Sequence, residues 1–486
     1  MLTLRGCLFC LFCAAVYSLR LFILSVCLLQ DRIIGRLHHP PRLFTLIACL
    51  LPDRIIGRVH HPPRLFTLSA CLLRSPLSFI LSSMEHISYR IYPYRWVILT
   101  ATMLVNFTIQ TLWIAYSPIT SAAAAYYKVS EMAIGFFAMS FMIAFVPFSI
   151  PASWLIDRFG YVQTVGAASV AVGIFGLLRG AAGHNYTLAF IMTCGIAVAQ
   201  PFLLNSWTKI PAAWFPSRER ATAVGLITIA SILGTAAGLV LTPALAERLN
   251  IAQIQLVYGV AASVAAGVFV LSAKEKPRLP PDESASRERA FMIEGLKHAL
   301  HTPSFVRFLV IAFIGMGIFN GVTTWVEAIV RPRGINSSQA GMLGAIMLVG
   351  GVAGAVIIPL FSDRSGRRTP FIFLGLVGAV PGLLGLALAP RFALIALSAF
   401  VLGFFLIAVN PVGMQYAAEA ARPTPEGTSN GLVTLAGQVS VLLVYAMEAI
   451  NNATGSFTAS LMAVAVLLAF SAVLATRLEE RRGKTM

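Results

Sequence analysis

Two short charged loops are the residues best suited to ionic chemistry. Leu155-Ile156-Asp157-Arg158-Phe159-Gly160 and Phe361-Ser362-Asp363-Arg364-Ser365-Gly366-Arg367-Arg368 share an Asp-Arg-x-Gly core, 206 residues apart. A carboxylate at the start of a helix accepts backbone N–H bonds and is favoured there by the helix dipole. Gly160 and Gly366 let the chain reverse within a few residues. Arg158, Arg364, Arg367 and Arg368 can reach acidic groups on neighbouring loops, and Arg218, Glu219 and Arg220 are the expected partners of Asp157. Such pairs form and break without covalent change. A plain helix cap is one reading of each loop, and their doubling at matched places argues for a further role.

Each loop must be held by the long apolar stretches on either side of it. With 58% hydrophobic and 11% charged residues and a mean hydropathy of +0.81, most of the chain's surface has to face lipid. Runs of about 20 apolar residues, each enough to cross roughly 30 Å of hydrocarbon, recur twelve times after Met84. They fall near 96–119, 131–155, 162–182, 187–210, 220–243, 251–272, 304–329, 337–361, 369–389, 392–416, 428–450 and 456–476. Prolines at 147, 151, 201, 211, 359, 381 and 411 interrupt these helices and predict kinks. Gly234-Thr-Ala-Ala-Gly238 and Gly350-Gly-Val-Ala-Gly354 predict close helix packing.

The net charge of +17 invites a nucleic-acid reading, but its distribution argues otherwise. With the tail after Met84 inside, segments on that side collect 20 Lys and Arg residues. The other side holds six, namely Lys128, Arg179, Arg248, Arg331, Arg333 and Arg391. This bias places both termini in the cytoplasm and marks topology rather than a nucleic-acid partner. We find no nucleophile–base pair, metal-ligand spacing or phosphate loop after Met84, so we expect neither an enzyme nor a cofactor.

A charged loop repeated in two halves of a twelve-helix chain resembles the plan of the major facilitator transporters. The resemblance implies an all-α membrane protein with twelve transmembrane helices in two pseudo-symmetric six-helix bundles. The bundles would be 84–273 and 304–486, with 274–303 as a cytoplasmic linker. In that family the Asp-Arg-x-Gly loop helps hold the inner gate shut. The family pattern begins with Gly four residues before the Asp, where this chain has Ser153 and Pro359.

The first 83 residues look foreign to that plan. Arg20–Cys27, Arg42–Cys49 and Arg64–Cys71 repeat Arg-Leu-Phe-x-Leu-x-x-Cys at a 22-residue period. Six of the seven cysteines lie here, and Cys7, Cys10 and Cys13 are spaced as metal ligands could be, but in an apolar stretch without polar supporting groups. A signal peptide is a second reading. We expect instead a start codon assigned upstream of Met84, and leave 1–83 out of the functional argument. Asn185, Asn336 and Asn452 open acceptor sequons that arise often by chance.

Four stretches narrow the resemblance. They are Leu112-Trp113-Ile114-Ala115-Tyr116-Ser117, Ala197-Val198-Ala199-Gln200 with Ala213-Trp214-Phe215, Lys274-Glu275-Lys276-Pro277-Arg278-Leu279-Pro280-Pro281, and Pro425-Glu426-Gly427-Thr428-Ser429-Asn430-Gly431-Leu432. They resemble the family named after the feline leukaemia virus subgroup C receptor, which includes choline and ethanolamine transporters. The resemblance implies a choline site lined by Trp113, Gln200 and Gln438, with Asn320 where the family carries a cage tyrosine. Depth agrees: at about 1.5 Å per residue all three lie in the central zone of the membrane. A Trp face attracts an ammonium head, worth about 2 kcal/mol when desolvated. The plainer readings are packing for Trp113 and helix-to-helix bonding for the glutamines. No Lys, Arg or His appears at mid-depth to meet haem; His184, His298 and His301 lie in loops.

Glu327 lies roughly 33 Å along helix seven, near the outer surface, with Arg331 one turn on. An interfacial ion pair is the expected role and proton coupling the alternative; Glu448 reads the same way. Together these features predict an integral, multi-pass, monomeric transporter in the plasma membrane. Its expected cargo is a small amine or zwitterion of the choline or ethanolamine type, moved by facilitated diffusion. A proton-coupled carrier using Glu327 and a transporter-like receptor are the alternatives.

Overall fold

The computed structural model describes residues 90–279, 292–424 and 426–480, without the side chains of 217, 218, 221, 292–296, 426 and 427. The repeats before Met84, residues 280–291 of the linker and the Arg218 side chain therefore lie outside the described residues. From Ile91 onward the described chain forms one compact unit.

Twelve of its helices are long and apolar enough to cross a membrane. Spans 1 to 6 are Arg95–Ile114, Glu131–Phe159, Tyr161–Ala181, Tyr186–Asn205, Ser217–Ala246 and Ile251–Ser272. Spans 7 to 10 are Pro303–Thr324, Ser337–Ser365, Thr369–Leu388 and Phe392–Ala420. Span 11 is Glu426–Val439 continued by Val441–Thr454, and span 12 is Phe457–Ala475. Twelve crossings return both described ends to one face, together with the linker and the Asp-Arg loops. We name it the linker face, and its counterpart the opposite face. Large apolar side chains such as Leu271, Val466 and Val349 point outward, as a chain surrounded by lipid requires.

Polar caps start the helices that descend from the opposite face. Ser130 caps span 2, Asn185 span 4 and Ser456 span 12, each accepting a backbone N–H. Asn250 and Asn336 form full capping boxes with Gln253 and Gln339 at spans 6 and 8. Ser130 and Asn336 stand 206 residues apart, as do Asn250 and Ser456. The offset of the Asp-Arg loops thus recurs at the caps, which is the two-bundle pseudo-symmetry in another form.

Four spans are interrupted, span 4 near its linker-face end, before a short helix Lys209–Trp214. Beyond Ile114, span 1 passes through a 3₁₀ turn, Ser117–Ile119, into a short helix Thr120–Tyr127. Span 7 breaks at Trp325 before a short helix Val326–Val330. Span 11 breaks at Ser440, whose hydroxyl donates to the Gly437 carbonyl at 2.5 Å. A carbonyl freed inside hydrocarbon has to find a donor, which Ser440 itself supplies in span 11.

Glycines bring the backbones together. A Cβ on Gly354 of span 8 would sit 1.8 Å from the Phe404 carbonyl oxygen of span 10, and one on Gly234 of span 5 would sit 2.2 Å from that of Phe107. At Ser153, where the facilitator pattern has glycine, the hydroxyl instead accepts a hydrogen bond from the Asn205 amide at 2.9 Å. Spans 2 and 4 are tied there by a hydrogen bond in place of close contact. Gly354→Ala should cost ~1–3 kcal/mol through forced separation of spans 8 and 10. Gly267→Ala, with open space around it, should be neutral. Thermal unfolding midpoints of the two variants check this.

Candidate functional site

Span 1 carries a polar stripe. Thr102, Asn106, Gln110, Trp113 and Ser117 recur at steps of four, four, three and four residues, and Ser121 continues the series beyond the break. Helical periodicity puts the first four on one face. Thr102 and Asn106 are 1% exposed, Trp113 7% and Ser117 4%, so the stripe faces protein rather than lipid. Asn106 accepts the Trp207 indole N–H at 2.7 Å and donates to the Thr102 carbonyl.

At mid-membrane the stripe meets span 4. The Gln200 amide donates to Gln110 Oε1 at 3.4 Å, while its own buried Oε1 has no partner. Trp113 sends its indole N–H to the Ala138 carbonyl of span 2 at 3.2 Å. Its polar edge is therefore occupied, and the ring face is what it can offer a cation. Asn320 is buried in span 7, and half-buried Gln438 precedes the break of span 11. Among the described residues, no hydrogen bond joins Asn320 or Gln438 to Trp113 or Gln200. The structure thus ties Gln200 to span 1 through Gln110. Gln110 is one residue the motif reading missed, although the i, i+3 spacing to Trp113 marks it. Another is Phe319, which packs against the core cluster containing Trp113 and stands 206 residues from it.

Toward the opposite face the two bundles bond to each other. The Ser117 hydroxyl is shared between the carbonyls of Thr323 and Thr324, the latter at 2.7 Å. Glu327 accepts the Ser121 N–H at 2.9 Å and its hydroxyl at 2.5 Å. Arg331 reaches Glu131 at 2.6 Å and Glu327 at 3.8 Å. Apolar contact continues the closure where Leu239 of span 5 meets Gly341 and Gly344 of span 8. Glu327 stands within ion-pair reach of Arg331, as the i+4 spacing leads one to expect, and is 2% exposed, buried between spans 1 and 7. Glu448 is buried likewise and accepts from Asn451 at 3.3 Å rather than pairing directly with a cation. The Arg331 guanidinium is held above its ordinary pKa, first by the hydrogen bond to Glu131 and then by the charges of Glu131, Glu327 and Glu448.

A family model for the Major Facilitator Superfamily matches residues 98–336 and 326–485. The chain belongs to that superfamily. Solute carrier family 49 member A3 of Xenopus tropicalis is 28% identical over 383 residues, covering 75% of this chain and 79% of that protein. A choline/ethanolamine transporter of Danio rerio is 27% identical over 401 residues, covering 78% of this chain and 82% of that protein. These relatives connect the facilitator to the feline leukaemia virus subgroup C receptor family. Among solved structures, a bacterial homologue of the human lysosomal transporter Spinster, in an inward-facing and unoccupied conformation, superposes with a TM-score of 0.65. It is 17% identical and covers 80% of this chain and 98% of its own, a likeness of fold.

On the facilitator's linker face, the Asp-Arg loops take partners other than those expected. Asp157 pairs with Lys209 at 2.5 Å, both about half exposed, and no ion pair joins it to Arg220 among the described residues; the Arg218 side chain lies outside them. Glu219 instead holds Arg95 at 2.9 Å, and the Arg220 side chain donates to the Phe215 carbonyl at 3.1 Å. Arg158 lies over the rings of Trp154 and Phe159. The start of span 3 is capped by Glu275, which accepts the N–H groups of Tyr161 and Val162, both at 2.9 Å. Gly160 is required there: its φ is +86°, and a Cβ would come within 2.5 Å of the Glu275 carboxylate. In the second bundle Glu480 accepts the Arg368 N–H at the start of span 9. Arg368 also binds Asp363 and reaches Glu419 at 3.4 Å, while Arg364 and Arg367 are exposed and Gly366 turns the chain at φ +63°. In both bundles the cap thus comes from the residues just after the sixth helix.

Glu275→Ala removes both N–H partners of span 3 and should cost about 1 kcal/mol of local stability. Amide hydrogen exchange at Tyr161 and Val162 should speed up about fivefold, while exchange at the start of span 9 stays unchanged.

Proposed function

We propose that this facilitator carries a small organic amine of the choline or ethanolamine type, exchanging access between the two faces without an obligatory ion gradient. The observation that carries the reading is mid-membrane: Gln200, whose buried carbonyl oxygen is unpaired, bonds Gln110, one helical turn from the Trp113 indole on span 1. The ring face suits an ammonium head, and the Gln200 oxygen suits the hydroxyl donor at the other end of such a molecule. Kinship with choline/ethanolamine transporters supports the same class. Gln438 and Asn320 are assigned to the second-bundle side of this pocket, with Asn320 setting a specificity different from a full aromatic cage.

In this reading, Ser117, Ser121, Glu131, Glu327 and Arg331 close the opposite face. Asp157, Arg158, Gly160, Arg218, Glu219 and Arg220, with Asp363, Arg364, Gly366, Arg367 and Arg368, form the gate of the linker face. The charge bias supports a cytoplasmic linker face in the plasma membrane, with 84–273 and 304–486 rocking as units about the 274–303 linker and a monomer as the transporting species. The bonds from Ser121 favour a closing role for Glu327. Proton coupling through it would instead give pH-gradient-driven accumulation that Glu327→Gln abolishes.

Uptake of radiolabelled choline and ethanolamine into proteoliposomes tests the cargo. Saturable uptake without an imposed gradient is expected, with the half-saturation concentration raised about tenfold or more in Trp113→Ala, in line with the loss of about 2 kcal/mol. Absence of uptake of either solute by folded protein would refute the cargo while leaving the fold intact. Glu131→Gln should leave half-saturation within about twofold and change the maximal rate, because the Arg331 pair lies outside the pocket.

A further inference from the structure

We propose that Arg179 and Arg333 are positioning residues that bolt the two interrupted helices of the opposite face, spans 1 and 7, to the third helix of their own bundle. This rests on the alternating-access reading above and goes beyond its gate contacts.

Arg179, counted from the sequence among the turns of the opposite face, is instead fully buried in the last turn of span 3. Its guanidinium donates to the Leu112 carbonyl at 3.2 Å and lies 5.4 Å above the Tyr116 ring. Both contacts fall where span 1 gives up its regular helix. No carboxylate lies within ion-pair distance of Arg179 among the described residues. A buried guanidinium without an acid partner is costly, and it is tolerated when it answers another buried deficit. Here that deficit is a carbonyl beside a helix break. Tyr116 is fixed in turn, stacked on Phe137 at 4.2 Å with its hydroxyl 3.0 Å from that of Tyr127.

The second bundle has the reciprocal joint. Arg333, just beyond the interrupted end of span 7, donates to the carbonyls of Leu386 at 2.6 Å and Ala389 at 3.2 Å, where span 9 ends. It also donates to Ile329 of its own short helix at 3.2 Å. A cation is favoured at a helix C-terminus, where carbonyls lack intrahelical donors. In one bundle the third helix supplies the arginine and the first supplies a carbonyl; in the other the roles are exchanged. Positions 179 and 333 are not equivalent under the 206-residue offset, so the shared feature is the joint and not an inherited residue.

Between these bolts lie the bonds of Ser117 to Thr323 and Thr324 and of Ser121 to Glu327. Those bonds need the bent ends of spans 1 and 7 held at fixed angles. Releasing either bolt frees one bent end and shifts the population toward an open opposite face.

Double electron–electron resonance on the full chain in lipid nanodiscs tests this, with spin labels on Lys128→Cys and Asn452→Cys and the seven native cysteines replaced by serine. The parent protein should show one short distance. Arg179→Leu and Arg333→Leu should each add a longer distance, the closed-to-open ratio falling about tenfold, the scale of a lost hydrogen bond to a charged group. Arg179→Lys, which keeps a donor and loses the planar contact with Tyr116, should fall between. A single unchanged distance in folded Arg179→Leu and Arg333→Leu, with only the melting point lowered, would overturn the proposal. If Arg179→Leu fails to fold, Arg333→Gln decides by the same criterion. No solute is needed, so this result stands apart from whether choline or ethanolamine is carried.

Discussion

The hydroxyl of Ser117 against the carbonyls of Thr323 and Thr324 is the contact on which the rest of the opposite face depends. Ser117 and Thr323 are 206 residues apart, and so are Ser121 and Glu327. That offset relates the two bundles at their loops and caps. A contact between equivalent positions of two pseudo-symmetric units must lie on the axis relating them. The bundles therefore touch through spans 1 and 7 at the axis, and the alternating access proposed above would open this face by separating those spans. Span 1 donates and span 7 accepts there, at the ends where both are interrupted. In hydrocarbon an interruption persists only if its freed carbonyls find donors. Ser117 meets that need for span 7, and Arg179 meets it for span 1.

The linker face is organised by a different balance. Its Lys209–Asp157 pair is about half exposed, and exposed pairs contribute little to stability, about 0–1 kcal/mol each, while Arg95–Glu219 and Arg368–Glu419 are more buried. What holds its turns is backbone capping by Glu275 and Glu480, which satisfies N–H groups at the starts of spans 3 and 9. Both carboxylates follow the last helix of their bundle, so each bundle is closed on itself end to end. On the opposite face the contact between bundles instead includes buried Glu327, which accepts from Ser121 across the axis, with Arg331 and Glu131 beside it.

Much of this architecture is legible in the chain. Twelve apolar runs mark the spans, because length against hydrocarbon thickness leaves few alternatives. The paired Asp-Arg loops mark the two-bundle plan. Breaks in spans 1, 7 and 11 are not legible, since their stability depends on donors from distant helices rather than on local propensity. Nearness in sequence points Asp157 to the 218–220 group, whereas its partner Lys209 sits on the short helix Lys209–Trp214, which the apolar pattern does not separate from span 4. Glu275 lies more than a hundred residues from the N–H groups it caps, so no local pattern announces it. Gln110 does carry a signal: the spacing 102, 106, 110, 113, 117 is a helical face of polar residues in an apolar run. The i+4 spacing of Glu327 and Arg331 is legible, whereas the burial of Glu327 is not, because it depends on Ser121, 206 residues away.

The most direct test of alternating access in this chain is a reversible lock across the axis. Cysteines placed at Ser121 and Glu327 in a cysteine-free background should form a disulfide on oxidation. Uptake into proteoliposomes should then stop and should return on reduction. Undiminished uptake by fully cross-linked protein would mean that spans 1 and 7 need not separate during transport, contradicting alternating access through the axis.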